Sequence, residues 1–328
     1  MRFYDIFNGD ADGLCALHQL RLAEPRQATL ITGVKRDIGL LARVSPQAGD
    51  MLTVLDVSLD TNREAVHDVL NRGAHVRYFD HHYAGEIPRH PRFESHIDTS
   101  ADICTSLIVD RYLEGRFRAW AVVAAFGDNL RSQAYSLASL LGLTDPDAGM
   151  LRALGEALNY NAYGESIEDL HFHPEQLYRR MQPYADPLEF CAQASELDQL
   201  RQASADDLEK ALALPIEAVG AAAVAVFLPE APWSRRVAGV FANELSLQHT
   251  DRTVALLVRK GAGFQVSLRA PEHSAAPIHL LARQFESGNG RARSAGIQFL
   301  PDEDLARLFA LLRNSGVGRA ADAPQDHA

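Results

Sequence analysis

The sequence predicts an α/β protein: a domain built on a mostly parallel sheet, joined by a helical linker to a smaller α+β domain. Three observations carry this. Across the first third, short strand-like runs alternate with helix-like runs, the pattern of βαβ units. The stretch SELDQLRQASADDLEKAL (195–212) is polar, helix-prone and free of glycine, as a connecting helix would be. Beyond it, apolar and β-branched runs return over roughly 100 residues, an ordinary domain size. The expected division is a first domain over 1–194, a linker over 195–213 and a second domain over 214–316. The small, polar end at 317–328 is expected to be disordered.

The elements follow in order. FYDIF (3–7) reads as the first strand, with a helix from Leu14 to about Ala23. ATLITGV (28–34) and MLTVLDVS (51–58) are the next strands, the latter bounded by Gly49 and Asp50. A helix over 62–72 stops at Gly73, as helices often do at glycine. AHVRYFDHH (74–82) and FESHID (93–98) complete five strands. DICTSLIVDRYL (102–113) has apolar residues at helical spacing, with Thr99 and Ser100 as its expected N-cap residues. From Trp120 to about Ala213 the pattern is helical, with turns at TDPD (144–147) and HFHP (171–174). EAVGAAAVAVFL (217–228), TVALLVRK (253–260) and GFQVSLRA (263–270) are the strands of the second domain, with VAGVFANELSLQ (237–248) among them.

Bulk properties narrow the function. The net charge is −11, from 32 Lys+Arg against 43 Asp+Glu, which argues against gripping long duplex nucleic acid. A small anionic ligand held by a few arginines and a metal is compatible with it, since bound cations reverse the local field. Three scattered cysteines (Cys15, Cys104, Cys191) suggest reduced thiols in a cytosol. Cys15 itself is expected to pack in the core. The start, MRFYDIFNGD, has no basic segment followed by an apolar run. The nearly apolar run VGAAAVAVFL (219–228) is roughly half a membrane span. A soluble, cytoplasmic protein with no membrane partner is expected.

The chemistry starts at FNGDADGLCAL (7–17), where Asp10 and Asp12 share one tight turn. Two like charges so placed repel unless a cation lies between them. Asp56 falls at the end of the third strand and Asp80-His81-His82 at the end of the fourth. In a parallel sheet these ends share one edge, where ligands gather. Asp128 in AAFGDN (124–129) follows an apolar helix. Singly, each has an ordinary reading as a turn, cap or spacer residue; together they form a carboxylate and imidazole set suited to Mn²⁺ or Mg²⁺, and less selectively to Fe²⁺ or Zn²⁺. Two such ions would clamp both oxygens of an in-line phosphoryl displacement.

NGDADG, VLDVS, FDHH and FGDN, in this order, resemble the four motifs of the DHH phosphoesterase superfamily. VSLRA (266–270) and the glycine-rich SGNGRARSAG (287–296) resemble the DHH-associated nucleic-acid-binding domain, so the resemblance covers nearly the whole chain. It implies a two-ion phosphodiesterase. Asp10 and Asp12 would each serve one metal, Asp56 would bridge both, and His81 and Asp128 would complete the second. Asp80 would orient a histidine, and His82 would face the phosphate. In the second domain, Gly288 and Gly290 would let backbone N–H groups approach an anion, and Arg269, Arg291 and Arg293 would add charge. The alternative for this stretch is a loop with arginines pointing to water. Arg283 is read as a helix-surface residue.

Two departures stand out. Many members acting on small oligonucleotides carry a histidine where this chain has Ile6, and the exonuclease branch an aspartate where it has Asn8. Arg291 stands where the family's glycine-rich loop often has histidine; it keeps a donor and adds permanent charge. Elsewhere, Lys35 and Arg36 lie at a strand end near the same edge, as solvated residues or phosphate contacts. His171 and His173 read as a surface turn.

The resemblance implies a Mn²⁺-dependent enzyme hydrolysing linear dinucleotides or very short single-stranded oligonucleotides, with domain closure limiting length. A homodimer is left open. The alternatives are hydrolysis of cyclic dinucleotides, bisphosphorylated adenosine or polyphosphate, a single-strand exonuclease, or a nucleotide-binding protein whose site is inactive.

Overall fold

The strands β1 (Phe3–Phe7), β2 (Thr29–Ile31), β3 (Met51–Leu55), β4 (His75–Asp80) and β5 (Phe93–Ile97) form one sheet in the order β2-β1-β3-β4-β5. Every pair in it is parallel. The computed structural model describes residues 1–274 and 276–314; the expected disordered tail at 317–328 lies outside them. The chain runs from β1 outward to β2 and then crosses back to β3, so β1 and β3 flank a topological switch point. The crevice at their carboxyl ends is where such sheets bind ligands.

Helices cover both faces, as the alternating pattern requires. On one face Tyr4, Ile6, Leu52, Val54, Val76 and Tyr78 pack against Val66, Val69 and Leu70 of a helix over Leu59–Asn71. The other carries a helix over Ala11–Ala23 and one over Thr105–Tyr112. In chain order the helices are α1 (Ala11–Ala23), α2 (Leu59–Asn71), α3 (Thr105–Tyr112), α4 (Arg118–Gly127), α5 (Arg131–Leu140), α6 (Asp145–Ala162), α7 (Pro174–Met181), α8 (Pro187–Gln193) and α9 (Ser195–Leu212). Asp5, a charge inside β1, is buried because Arg21 of α1 binds both its oxygens at 2.6 and 2.7 Å and also reaches Thr53. Such a bidentate pair leaves neither buried charge uncompensated.

Three local expectations need correction. ATLITGV keeps only Thr29–Ile31 in the sheet; the residues after it leave the strand and carry Lys35 towards the β1 turn. Thr99 and Ser100 do not cap α3. Ser100 bonds Asp98 through both its N–H and its hydroxyl, and α3 starts later, at Thr105. EAVGAAAVAVFL is two strands, because Gly220 turns the chain at φ +68°.

The described residues divide into two units, Met1–Ser204 and the residues from Ala205 onward, with the division inside α9. The second unit contains β6 (Glu217–Val219), β7 (Ala223–Leu228), α10 (Pro232–Gln248), β8 (Thr253–Lys260), β9 (Gly263–Arg269), α11 (Ile278–Ala282), β10 (Gly288–Gly290), β11 (Ser294–Pro301) and α12 (Leu305–Asn314). Its sheet runs β10-β11-β9-β8-β7-β6, antiparallel except between β7 and β8. Among the described residues no helix is long and apolar enough to cross a membrane.

Candidate functional site

The turn after β1 builds the first part of the site. Asp10 is the N-cap of α1; its Oδ1 accepts the N–H groups of Asp12 and Gly13 at 3.0 and 3.1 Å. Its Oδ2 is held by the Lys35 ammonium. Asp12, fully buried, caps a different helix. Its two oxygens accept the N–H groups of Thr105 and Ser106 at 2.7 and 2.6 Å, meeting the N-terminus of α3. Asn8 accepts the Asp10 N–H and donates to the Lys35 carbonyl, so its side chain is spent bracing this turn. Ile6 is fully buried in the core between the sheet and α2.

Asp56 follows β3 in a left-handed conformation, φ +58°, an uncommon state for a residue with a side chain. That conformation is fixed by its N–H bond to Phe79 and by the Thr105 hydroxyl, which donates to Oδ1. His81 donates Nδ1–H to the Ile103 carbonyl at 2.9 Å, leaving Nε2 directed at Asp56 (3.4 Å) and Asp128 (3.8 Å). Asp80 is wholly buried, accepting the Leu59 N–H and the Nδ1–H of His82 at 2.7 Å. It therefore orients His82, whose other ring nitrogen is left as ligand or donor. Asp128 ends α4 as its C-cap. Asn159 of α6 links the two halves: it accepts the Ala11 N–H and donates to the Gly127 carbonyl.

Electrostatically the site is short of positive charge. Burial, then the neighbouring Asp12, Asp10 and Asp128, pushes the Asp56 carboxyl well above its ordinary range. Burial likewise raises Asp128 to about 6, against the pull of Lys35. Burial would also raise Asp10, but Lys35 and the Gly13 N–H hold it low. Burial works against the Lys35 charge, yet Asp10 and Asp128 lift its pKa well above the lysine range. Burial opposes protonation of His82 too, but Asp80 raises it overall. Nearby, burial and then Asp12 and Asp10 push the Cys15 thiol far up, which makes it inert.

Among the described residues, two groups place three donor atoms close enough for one cation: Asp56 with His81 and His82, and Asp12 with His81 and Asp128. Carboxylates crowded until they take up protons, with imidazoles beside them, fit Mn²⁺ or Mg²⁺. The fold thus brings Asp12, Asp56, His81, His82 and Asp128 together. Asp10 belongs to neither group and faces Lys35.

In the second unit the glycine-rich stretch forms a hairpin, β10 paired antiparallel with β11. A Cβ on Gly288 would collide with the Ala282 carbonyl, and Gly290 sits at φ +151° against Ala295. Packing on α11 and within the hairpin therefore accounts for both glycines. Arg291 and Arg293 lie exposed at its tip, Arg293 beside Glu272 at 3.0 Å. Arg269 donates to Asn243, and Arg283 is exposed at the end of α11. His173 caps α7, and His171 stacks on Tyr160.

Sequence reading gave Lys35 too little weight and missed Asn159 and Thr105. Lys35 carried a signal, its place just past a strand at the active edge. Asn159 and Thr105 had none: each lies on a helix and acts through a partner far away in the chain.

No family model matches the chain, and no curated protein matches its sequence. Among solved structures it is similar to exonuclease RecJ bound to manganese, with TM-score 0.58 and 18% identity over 97% of this chain and 91% of that one. RecJ with Mn²⁺ from Thermus thermophilus gives 0.60 and 19%, over 95% of this chain and 52% of that one. PggH from Vibrio cholerae, a pGpG-specific phosphodiesterase, gives 0.57 and 13%, over 96% and 100%. At these identities the likeness is one of fold. The chain shares the fold of these RecJ and PggH structures, and it places NGDADG, VLDVS, FDHH and FGDN at strand and helix ends that meet in one site.

Proposed function

We propose that the protein is a divalent-metal-dependent phosphodiesterase that hydrolyses linear dinucleotides or very short single-stranded oligonucleotides to mononucleotides. The observation that carries this is the convergence of Asp12, Asp56, Asp128, His81 and His82 in two overlapping cation-binding groups at the carboxyl edge of the sheet. PggH, a pGpG-specific phosphodiesterase matched over its whole length, supports a dinucleotide, while the two RecJ structures, matched over 91% and 52% of their own length, stand for the exonuclease alternative. The negative net charge also disfavours long strands.

Asp12, Asp56, Asp128, His81 and His82 would hold the metal, with Asp10 joining them where the family pattern has two ions. When bound, such ions supply Lewis acidity toward a phosphoryl oxygen and lower the pKa of water. The chain's own groups set the stage for that. Asp80 keeps the Nδ1–H of His82, so the other nitrogen is offered to an ion or to the phosphate. The α3 N-terminus holds the Asp12 carboxylate, Asn159 ties together the backbone next to Asp10 and Asp128, and burial keeps the carboxylates' field strong. Arg269, Arg291, Arg293 and the backbone of Gly288 and Gly290 are proposed as nucleotide contacts of the second unit.

A panel of pGpG, pApA, short RNAs, cyclic dinucleotides and polyphosphate, incubated with Mn²⁺ and resolved by chromatography, tests this reading. Mononucleotides from the linear dinucleotides, abolished by EDTA, are expected. Turnover confined to cyclic dinucleotides or polyphosphate, or tight binding with no turnover, would contradict it.

A further inference from the structure

Lys35 is fixed from three sides. Its N–H donates to the Ala162 carbonyl at the end of α6 at 3.0 Å, and its own carbonyl accepts from Asn8 at 3.2 Å. The Tyr163 ring lies 5.7 Å from its ammonium, within cation–π range. The ammonium is thereby delivered between two carboxylates, bonded to Asp10 and 3.4 Å from Asp128. Gly9 makes this approach feasible: a Cβ there would collide with the Gly33 carbonyl on the loop that carries Lys35.

The donors are also shared in a way that limits the number of ions. Both cation-binding groups need His81. Its Nδ1–H is committed to Ile103, so one nitrogen remains, and its lone pair serves one ion. The charge of Asp12 is met by two N–H groups of α3 and that of Asp10 by Lys35. Asp56 is left, with His81 and His82, for a cation, while Asp128 lies between His81 and Lys35.

We propose that Lys35 is a built-in cation that takes the place of one of the two ions, so that this chain binds one divalent ion tightly, at His81. Lys35 is then a positioning residue that holds Asp10 and Asp128 and supplies the second positive charge. The inference rests on the divalent-metal reading above, and its readout is the number of ions, which a wrong substrate would not change.

The metal-stripped full chain is titrated with Mn²⁺, with bound metal counted after dialysis and followed by electron paramagnetic resonance. One ion per chain is expected, with the spectrum of an isolated Mn²⁺. Lys35→Met and Lys35→Gln, which free Asp10, are expected to take up a second ion and give the spectrum of a coupled pair. Lys35→Arg, which keeps the charge, is expected to stay at one. Two tightly held, coupled ions in the wild type would overturn the proposal, whatever the variants do. So would a folded Lys35→Gln that still binds one.

Discussion

Asp56 meets several demands at once: a left-handed backbone, full burial and a carboxyl pushed well above its range. Asparagine tolerates that backbone and removes only the charge. Asp56→Asn is therefore expected to leave the fold intact and to lower kcat by more than the ~10–100-fold typical of losing a ligand's supporting partner. In EDTA its melting temperature is expected to rise at alkaline pH, where the buried carboxyl would otherwise ionise without compensation. Near-normal turnover would remove Asp56 from the metal site. Asp128 gives a pH prediction for the metal-free protein. Its folded pKa of about 6 lies above the ordinary 3.8, so the folded state holds the proton more tightly. The stability this contributes is complete below the unfolded value and is lost as pH rises through about 6. The melting temperature in EDTA, taken relative to Asp128→Asn, should fall across that window, and thermal melts at stepped pH check it. At this scale the sequence made the DxD, Asp56, Asp-His-His and Asp128 set legible because each falls at an element's end. It left Lys35 ambiguous and Asn159 invisible, since hydrogen bonds across more than 100 residues have no periodic trace.

Most strands and the long α9 were legible because short apolar runs bounded by turns and an unbroken helix-prone run are local properties. The start of α3 was not. The carboxylate of Asp12, 93 residues earlier than its partner Thr105, caps it in place of the nearby Thr99 or Ser100. The hairpin of β10 and β11 was hidden for a similar reason, since its glycines are set by close approach to Ala282 and Ala295, residues outside the glycine-rich run's local pattern. Two predictions belong to elements. Gly9→Ala would force the β1 turn off the loop after β2, at a cost of about 1–3 kcal/mol. Because that loop delivers Lys35, activity per folded molecule is expected to fall as well, by paired denaturation and kinetic assays. Changing both His81 and His82 to Ala at the end of β4 should leave circular dichroism unchanged while hydrolysis collapses. Unfolding with undiminished activity per folded molecule would make the two histidines structural.

The first unit carries the candidate cation site, and the second offers exposed arginines on a hairpin. If that hairpin contacts the nucleotide, Arg291→Ala removes a charge-assisted bond worth about 1.5–3 kcal/mol, or roughly ten- to a hundredfold in affinity. KM for a dinucleotide should rise, while bound metal and turnover of a small generic phosphodiester change little. Equal losses on both substrates would point to a structural role. Composition marks a linker over 195–213, whereas the change of unit falls inside α9, because the later turns of that helix pack with the second unit. The central claim is that this site serves very short linear substrates. The most direct measurement is kcat/KM with Mn²⁺ on a series of 5′-phosphorylated oligonucleotides, from the dinucleotide to a long single strand. The account predicts the highest value at the dinucleotide, a steep decline within a few added nucleotides and no activity in EDTA. Equal or rising values with length, with a ladder of products from the long strand, would contradict it.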